Sequence, residues 1–129
     1  QPNAVLALVS RNQAALFLSQ YVVDELGEVI QRKNLSNSSF LKLLALPNVK
    51  TISDDRYLSL KLFSEAKALV RHAPDFPVFA FAAYGLRTGL FDYFITGDND
   101  LLTADVKTAL NSRVLRAAEF LDLFVKNQP

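Results

Sequence analysis

Short apolar runs at residues 14–18, 93–96 and 114–115 alternate with longer stretches of helical periodicity. Runs this short suit buried strands better than helices. Strands separated by helices pair in parallel, because a helical crossover returns the chain to the same end of the sheet, and the helices then cover its faces. The expected fold is α/β, a three-layer α/β/α sandwich with a central parallel sheet. Ligands in such sheets lie beyond the carboxyl ends of the strands, so the residues that follow each run carry the functional interest.

The helical stretches can be placed one by one. Residues 4–9 are apolar and compatible with a short helix. After Ser19, a good N-cap, Val22, Val23, Leu26, Val29 and Ile30 recur at helical spacing, with Asp24 and Glu28 on the opposite face. The polar stretch 34–39 reads as a loop. Residues 40–46 and 57–70 read as two further helices, the first stopped by Pro47 and the second ending near His72 and Pro74. Pro77 stands in the first turn of a nearly all-apolar helix that runs through Leu86, with Gly89 just past its end. Residues 117–125 form a last amphipathic helix.

At 129 residues and 50% apolar content, the chain suits one domain, residues 1–129, with a single sizeable core. No apolar run approaches the roughly 20 residues of a membrane helix, and no basic, apolar leader opens the sequence. A soluble cytoplasmic protein without a membrane partner is the expectation. Cysteine is absent and His72 is the one histidine, which excludes thiolate-held zinc, two-histidine sites and cysteine nucleophiles. Any metal must be held by oxygen donors, and these suit Mg2+ or Mn2+. A net charge of +1 means that a nucleic-acid substrate would have to meet local positive charge. Arg11, Arg32, Lys33, Arg113 and Arg116 could supply it, although a solvated surface charge is the more ordinary reading of each.

Three acidic positions stand out. Asp98 and Asp100 follow the run 93–96 across Gly97, and two anions so close repel unless a cation or solvent relieves them. The same residues also make an ordinary solvated turn. An EF-hand is excluded, because its further oxygen ligands and glycine do not follow Asp100. Glu25 lies at the edge of the apolar stripe of its helix, where a carboxylate either finds a partner or keeps its head in water. Asp75 precedes Pro77 at a helix start, where capping and dipole compensation would by themselves account for it. Thr96, at the end of its run, could hydrogen-bond a ligand carboxylate or serve only as a β-former.

Together these positions resemble the PIN-domain family. Segment 16–26 (LFLSQYVVDEL) is similar to that family's second strand, serine cap and helix with a metal-site glutamate, here Glu25. Segment 75–83 (DFPVFAFAA) resembles its Asp-x-Pro segment, which brings Asp75 to the site. Segment 94–102 (FITGDNDLL) resembles its Thr-Gly-Asp-x-Asp motif, and 114–121 (VLRAAEFL) its closing strand and Glu-Phe-Leu helix. The order is right throughout. The resemblance implies a Mg2+- or Mn2+-dependent endoribonuclease that hydrolyses RNA phosphodiester bonds, with Glu25, Asp75 and Asp98 as catalytic metal ligands and Asp100 assisting. It further suggests the toxin half of a toxin–antitoxin pair, an antitoxin protein over the site, and a homodimer.

One departure bears on activity. The family opens with a strand that ends in an aspartate, and no such strand precedes residues 1–3, so the expectation is a missing first strand and a gap in the sheet. That departure gives added weight to the alternative reading, a non-catalytic PIN-like module that binds RNA or protein. A phosphatase of the haloacid dehalogenase type also carries Asp-x-Asp after a strand, but near the start of a longer chain and with a later lysine and acidic pair.

Overall fold

The structure, a computed structural model, describes residues 2–126; residues 1 and 127–129 of the expected domain lie outside the described residues. Among the described residues, seven α-helices and four strands follow in the order α1 (Pro2–Ser10), β1 (Leu16–Ser19), α2 (Gln20–Arg32), α3 (Ser38–Leu44), β2 (Val49–Ile52), α4 (Leu60–Leu69), α5 (Phe76–Thr88), β3 (Phe94–Ile95), α6 (Ala104–Ala109), β4 (Val114–Leu115) and α7 (Ala117–Lys126). Short 3₁₀ turns occupy Asp54–Arg56, Ala73–Asp75 and Asn99–Leu101.

Local chemistry sets several of these boundaries. Ser19, itself buried, caps α2 by accepting the Val22 N–H at 3.1 Å. Gly89 ends α5 in the left-handed conformation, φ 74°, and returns its N–H to the Gly85 carbonyl, as a helix-terminating glycine does. Helix α4 starts later than the expected residue 57, because Ser59 caps it through the Leu62 N–H at 3.2 Å. Tyr57 instead closes the turn Asp54–Arg56 and is wholly buried. Its hydroxyl donates to Asp54 Oδ1 at 2.6 Å and accepts the Tyr21 N–H at 3.3 Å. Burial first, then the bond to Asp54, pushes this phenol up to about 12. A buried tyrosine that satisfies both its lone pair and its proton pins the start of α2 to the loop before α4.

The pairing is parallel, as the alternation of strands and helices requires, but the described residues form two separate two-stranded sheets rather than one continuous sheet. β1 pairs with β2 from Leu16↔Val49 to Ser19↔Ile52, and β3 pairs with β4 through Phe94↔Val114 and Ile95↔Leu115. An apolar slot of about 900 Å³ separates β1 from β3, walled by Val5 and Val9 of α1, Phe81 of α5, Phe91, and Phe120 and Phe124 of α7.

Helix α5 is the centre of the packing. Phe79, Ala82 and Ala83 join Ala66, Leu101, Val106, Leu110 and Val114 in one buried cluster, while Ala80 and Phe81 join Tyr57 in a second. By contrast, α2 buries no residue fully, and Leu26 on its apolar stripe is 43% exposed. Among the described residues, no helix is long and apolar enough to cross a membrane.

Candidate metal centre

The carboxyl ends of β1 and β3 open on the same rim. Tyr21, two residues past β1, donates its hydroxyl to the Pro74 carbonyl at 3.2 Å, beside the start of α5. The segment after β3 meets that same helix start through Asp98 and Asp100. One carboxylate oxygen from each of Asp75, Asp98 and Asp100 lies within 4.8 Å of the others.

The turn after β3 is built to aim its acids. Thr96 Oγ1 accepts the Asp98 N–H at 3.1 Å, and Asp98 Oδ1 accepts the Asp100 N–H at 2.9 Å. These two bonds fold residues 96–100 so tightly that both carboxylates face one side. Leu101, 3% exposed, anchors the turn in the core. Thr96 thus holds the backbone of the turn.

Asp75 arrives from the other side. It ends the turn Ala73–Asp75 and precedes α5, yet its side chain makes no capping hydrogen bond. A capping hydrogen bond therefore does not account for it, and the carboxylate meets those of Asp98 and Asp100. Burial raises its pKa first, Asp98 and Asp100 raise it further, and His72 opposes them. His72 Nε2 stands 3.3 Å from Asp100 Oδ2 with its side chain 58% exposed.

Glu25 lies outside the group of three, on the exposed surface of α2. Its nearest link is Tyr21, whose phenol is raised by burial and then by Glu25, with a smaller contribution from Asp75. Glu25 and Asp75 therefore flank one tyrosine. Asp24 bonds to Gln20 at 2.8 Å on the exposed side of the helix, away from these groups, and Glu28 is exposed as expected.

Two participants were not legible beforehand. A lone histidine in a Pro-rich connection carries no spacing signal, so the His72–Asp100 pair could be seen only in three dimensions. Likewise Asn99, between the two acids, bonds Arg116 at the entrance to α7, and Glu119 fixes the Arg116 backbone N–H at 2.9 Å. A guanidinium is thereby held at the edge of an acidic cluster, an arrangement that can meet an anion as the acids meet a cation. No family model, no curated protein and no solved structure matches this chain.

Proposed function

We propose that the chain is a PIN-like endoribonuclease that depends on Mg2+ or Mn2+, on a three-layer α/β/α sandwich. The observation that carries this reading is the meeting of Asp75, Asp98 and Asp100 within 4.8 Å at the carboxyl ends of the strands. The donor set fits a hard divalent cation: all its ligands are carboxylate oxygens. Burial raises the Asp75 carboxyl first, and the repulsion from Asp98 and Asp100 that raises it further is one that such a cation relieves. When bound, the ion supplies a lowered pKa for a water and charge stabilisation at a phosphate.

In this reading the chain's own residues do the remaining work. Asp75, Asp98 and Asp100 hold the ion, Glu25 completes the acidic set from α2 by way of Tyr21, and Thr96 orients the Asp98 turn. Arg116, tethered by Asn99, takes a phosphate of the RNA strand. No side chain is required as a nucleophile. Incubation of the purified protein with single-stranded RNA and Mn2+ or Mg2+ should give cleavage that EDTA abolishes. Asp98→Asn should lower the rate by about 100-fold or more, since even residues behind metal ligands are worth 10–100-fold. Asp24→Ala should leave the rate unchanged. Cleavage by Asp98→Asn at the full rate would remove the metal mechanism.

A further inference from the structure

Helix α2 meets the acidic rim through Tyr21. This is the second residue of the helix, after the cap Ser19, so its backbone N–H is among those left without a partner inside the helix. The Tyr57 hydroxyl accepts that N–H at 3.3 Å. The phenol of the same residue donates to the Pro74 carbonyl at 3.2 Å. The N–H and the O–H of Tyr21 are therefore committed to segments 36 and 53 residues away.

The backbone anchor is the stiffer of the two. Tyr57 is wholly buried and donates its own proton to Asp54 Oδ1 at 2.6 Å. A buried phenol between Tyr21 and Asp54 cannot swing without leaving a polar atom unpaired. Its ring also stands edge-on to Phe81, with centroids 5.2 Å apart, which packs it against α5. The start of α2 is thus set relative to the helix that Asp75 precedes.

The other anchor lands next to a candidate ligand. Pro74 has no N–H, so its carbonyl is the backbone group by which it can be held. Within the turn, the Asp75 N–H donates to the His72 carbonyl at 2.9 Å and the Phe76 N–H to the Ala73 carbonyl. Those bonds shape the turn, and the bond from Tyr21 adds what they cannot, a tie to the carboxyl end of β1. The tie works against a load, because Asp98 and Asp100 repel the Asp75 carboxylate. Burial, then Glu25, then Asp75 raise the Tyr21 phenol above its ordinary value, so it keeps its proton at neutral pH and stays a donor to Pro74.

We propose that Tyr21 is a positioning residue of the metal centre: its phenol holds the Pro74 carbonyl and through it keeps the Asp75 carboxylate beside Asp98 and Asp100, where a divalent cation can bridge them. This rests on the metal reading above. Tyr21 touches no ion and acts through the backbone between Pro74 and Asp75. Because the tie exists before the ion arrives, less of the binding energy goes into drawing three like charges together.

Tyr21→Phe keeps the ring and deletes only the hydroxyl. Mn2+ titration followed by electron paramagnetic resonance, at a temperature where circular dichroism shows variant and unaltered chain fully folded, should give a dissociation constant about tenfold higher for the variant. That is the lower end of the loss when a residue behind a metal ligand is removed. In EDTA, amide exchange at Asp75 and Phe76 should quicken by about fivefold, the weight of one hydrogen bond in a local opening. Gln20→Ala, at the neighbouring position of α2 with its side chain on Asp24 at the exposed face, should leave the dissociation constant unchanged. A role confined to stability would lower the thermal midpoint of Tyr21→Phe and leave the dissociation constant where it was. That result overturns the proposal, as does unchanged exchange at Asp75 and Phe76. An equal loss of affinity in Gln20→Ala also overturns it, since any change at the start of α2 would then suffice. Absence of Mn2+ binding by the unaltered chain removes the metal reading and this proposal with it, so the unaltered chain tells the two failures apart.

Discussion

Asp75 is the residue at which the competing forces are most visible. Its position before an apolar helix is that of a cap, yet it caps nothing, and its pKa is raised by burial and by Asp98 and Asp100. Between the ordinary aspartate value and the raised one, the folded chain holds a proton that the unfolded chain has released. Stability without metal should therefore fall as pH rises through that window and stay low above it. Asp75→Asn removes the repelled charge, so it should raise the melting midpoint at pH 7 in EDTA, with the gain shrinking as pH drops below the ordinary carboxylate range. A midpoint lowered at pH 7 would mean that Asp75 is a structural acid. The three aspartates could be singled out in the sequence because they stand at a strand exit and a helix start. Their mutual distance could not, since it depends on where α5 lies against β3. Glu25 shows the converse: its place on the helix was readable, but which neighbour it meets was decided by Tyr21.

At the level of elements, long periodic segments and short apolar runs declared themselves, and short elements without an apolar run did not. The amphipathic stripe and serine cap of α2, and the Pro77 and Gly89 that bracket α5, are local signals. Strand β2, Val49–Ile52, has two apolar residues around Lys50 and Thr51, so no local pattern marks it; pairing with β1 makes it a strand. Helix α6 is six residues long with one buried side chain, Val106, too short for a period to show. Packing of α5 gives a sharper test. A Cβ on Gly85 would stand 2.0 Å from the Phe91 ring, whereas one on Gly27 in α2 would meet nothing within 4 Å. Alanine should therefore have opposite effects in the two helices. Gly85→Ala should destabilise by about 1–3 kcal/mol through overpacking, and Gly27→Ala should stabilise by about 0.5–1 kcal/mol through helix propensity, both read from urea midpoints.

For the whole molecule, the α/β class and parallel pairing follow from the alternation of runs and helices, while a continuous central sheet does not form among the described residues. Two half-sheets share one rim, and α5, packed into both core clusters, holds them in relation to each other. That rim gathers three acids from two segments, and the metal reading depends on it more than on any one residue. Mn2+ titration followed by electron paramagnetic resonance addresses it without RNA or turnover. The chain should bind Mn2+, with binding lost in Asp98→Asn and retained in Asp24→Ala. An unchanged free-Mn2+ signal at saturating protein, or binding that survives Asp98→Asn intact, would contradict a metal centre at Asp75, Asp98 and Asp100.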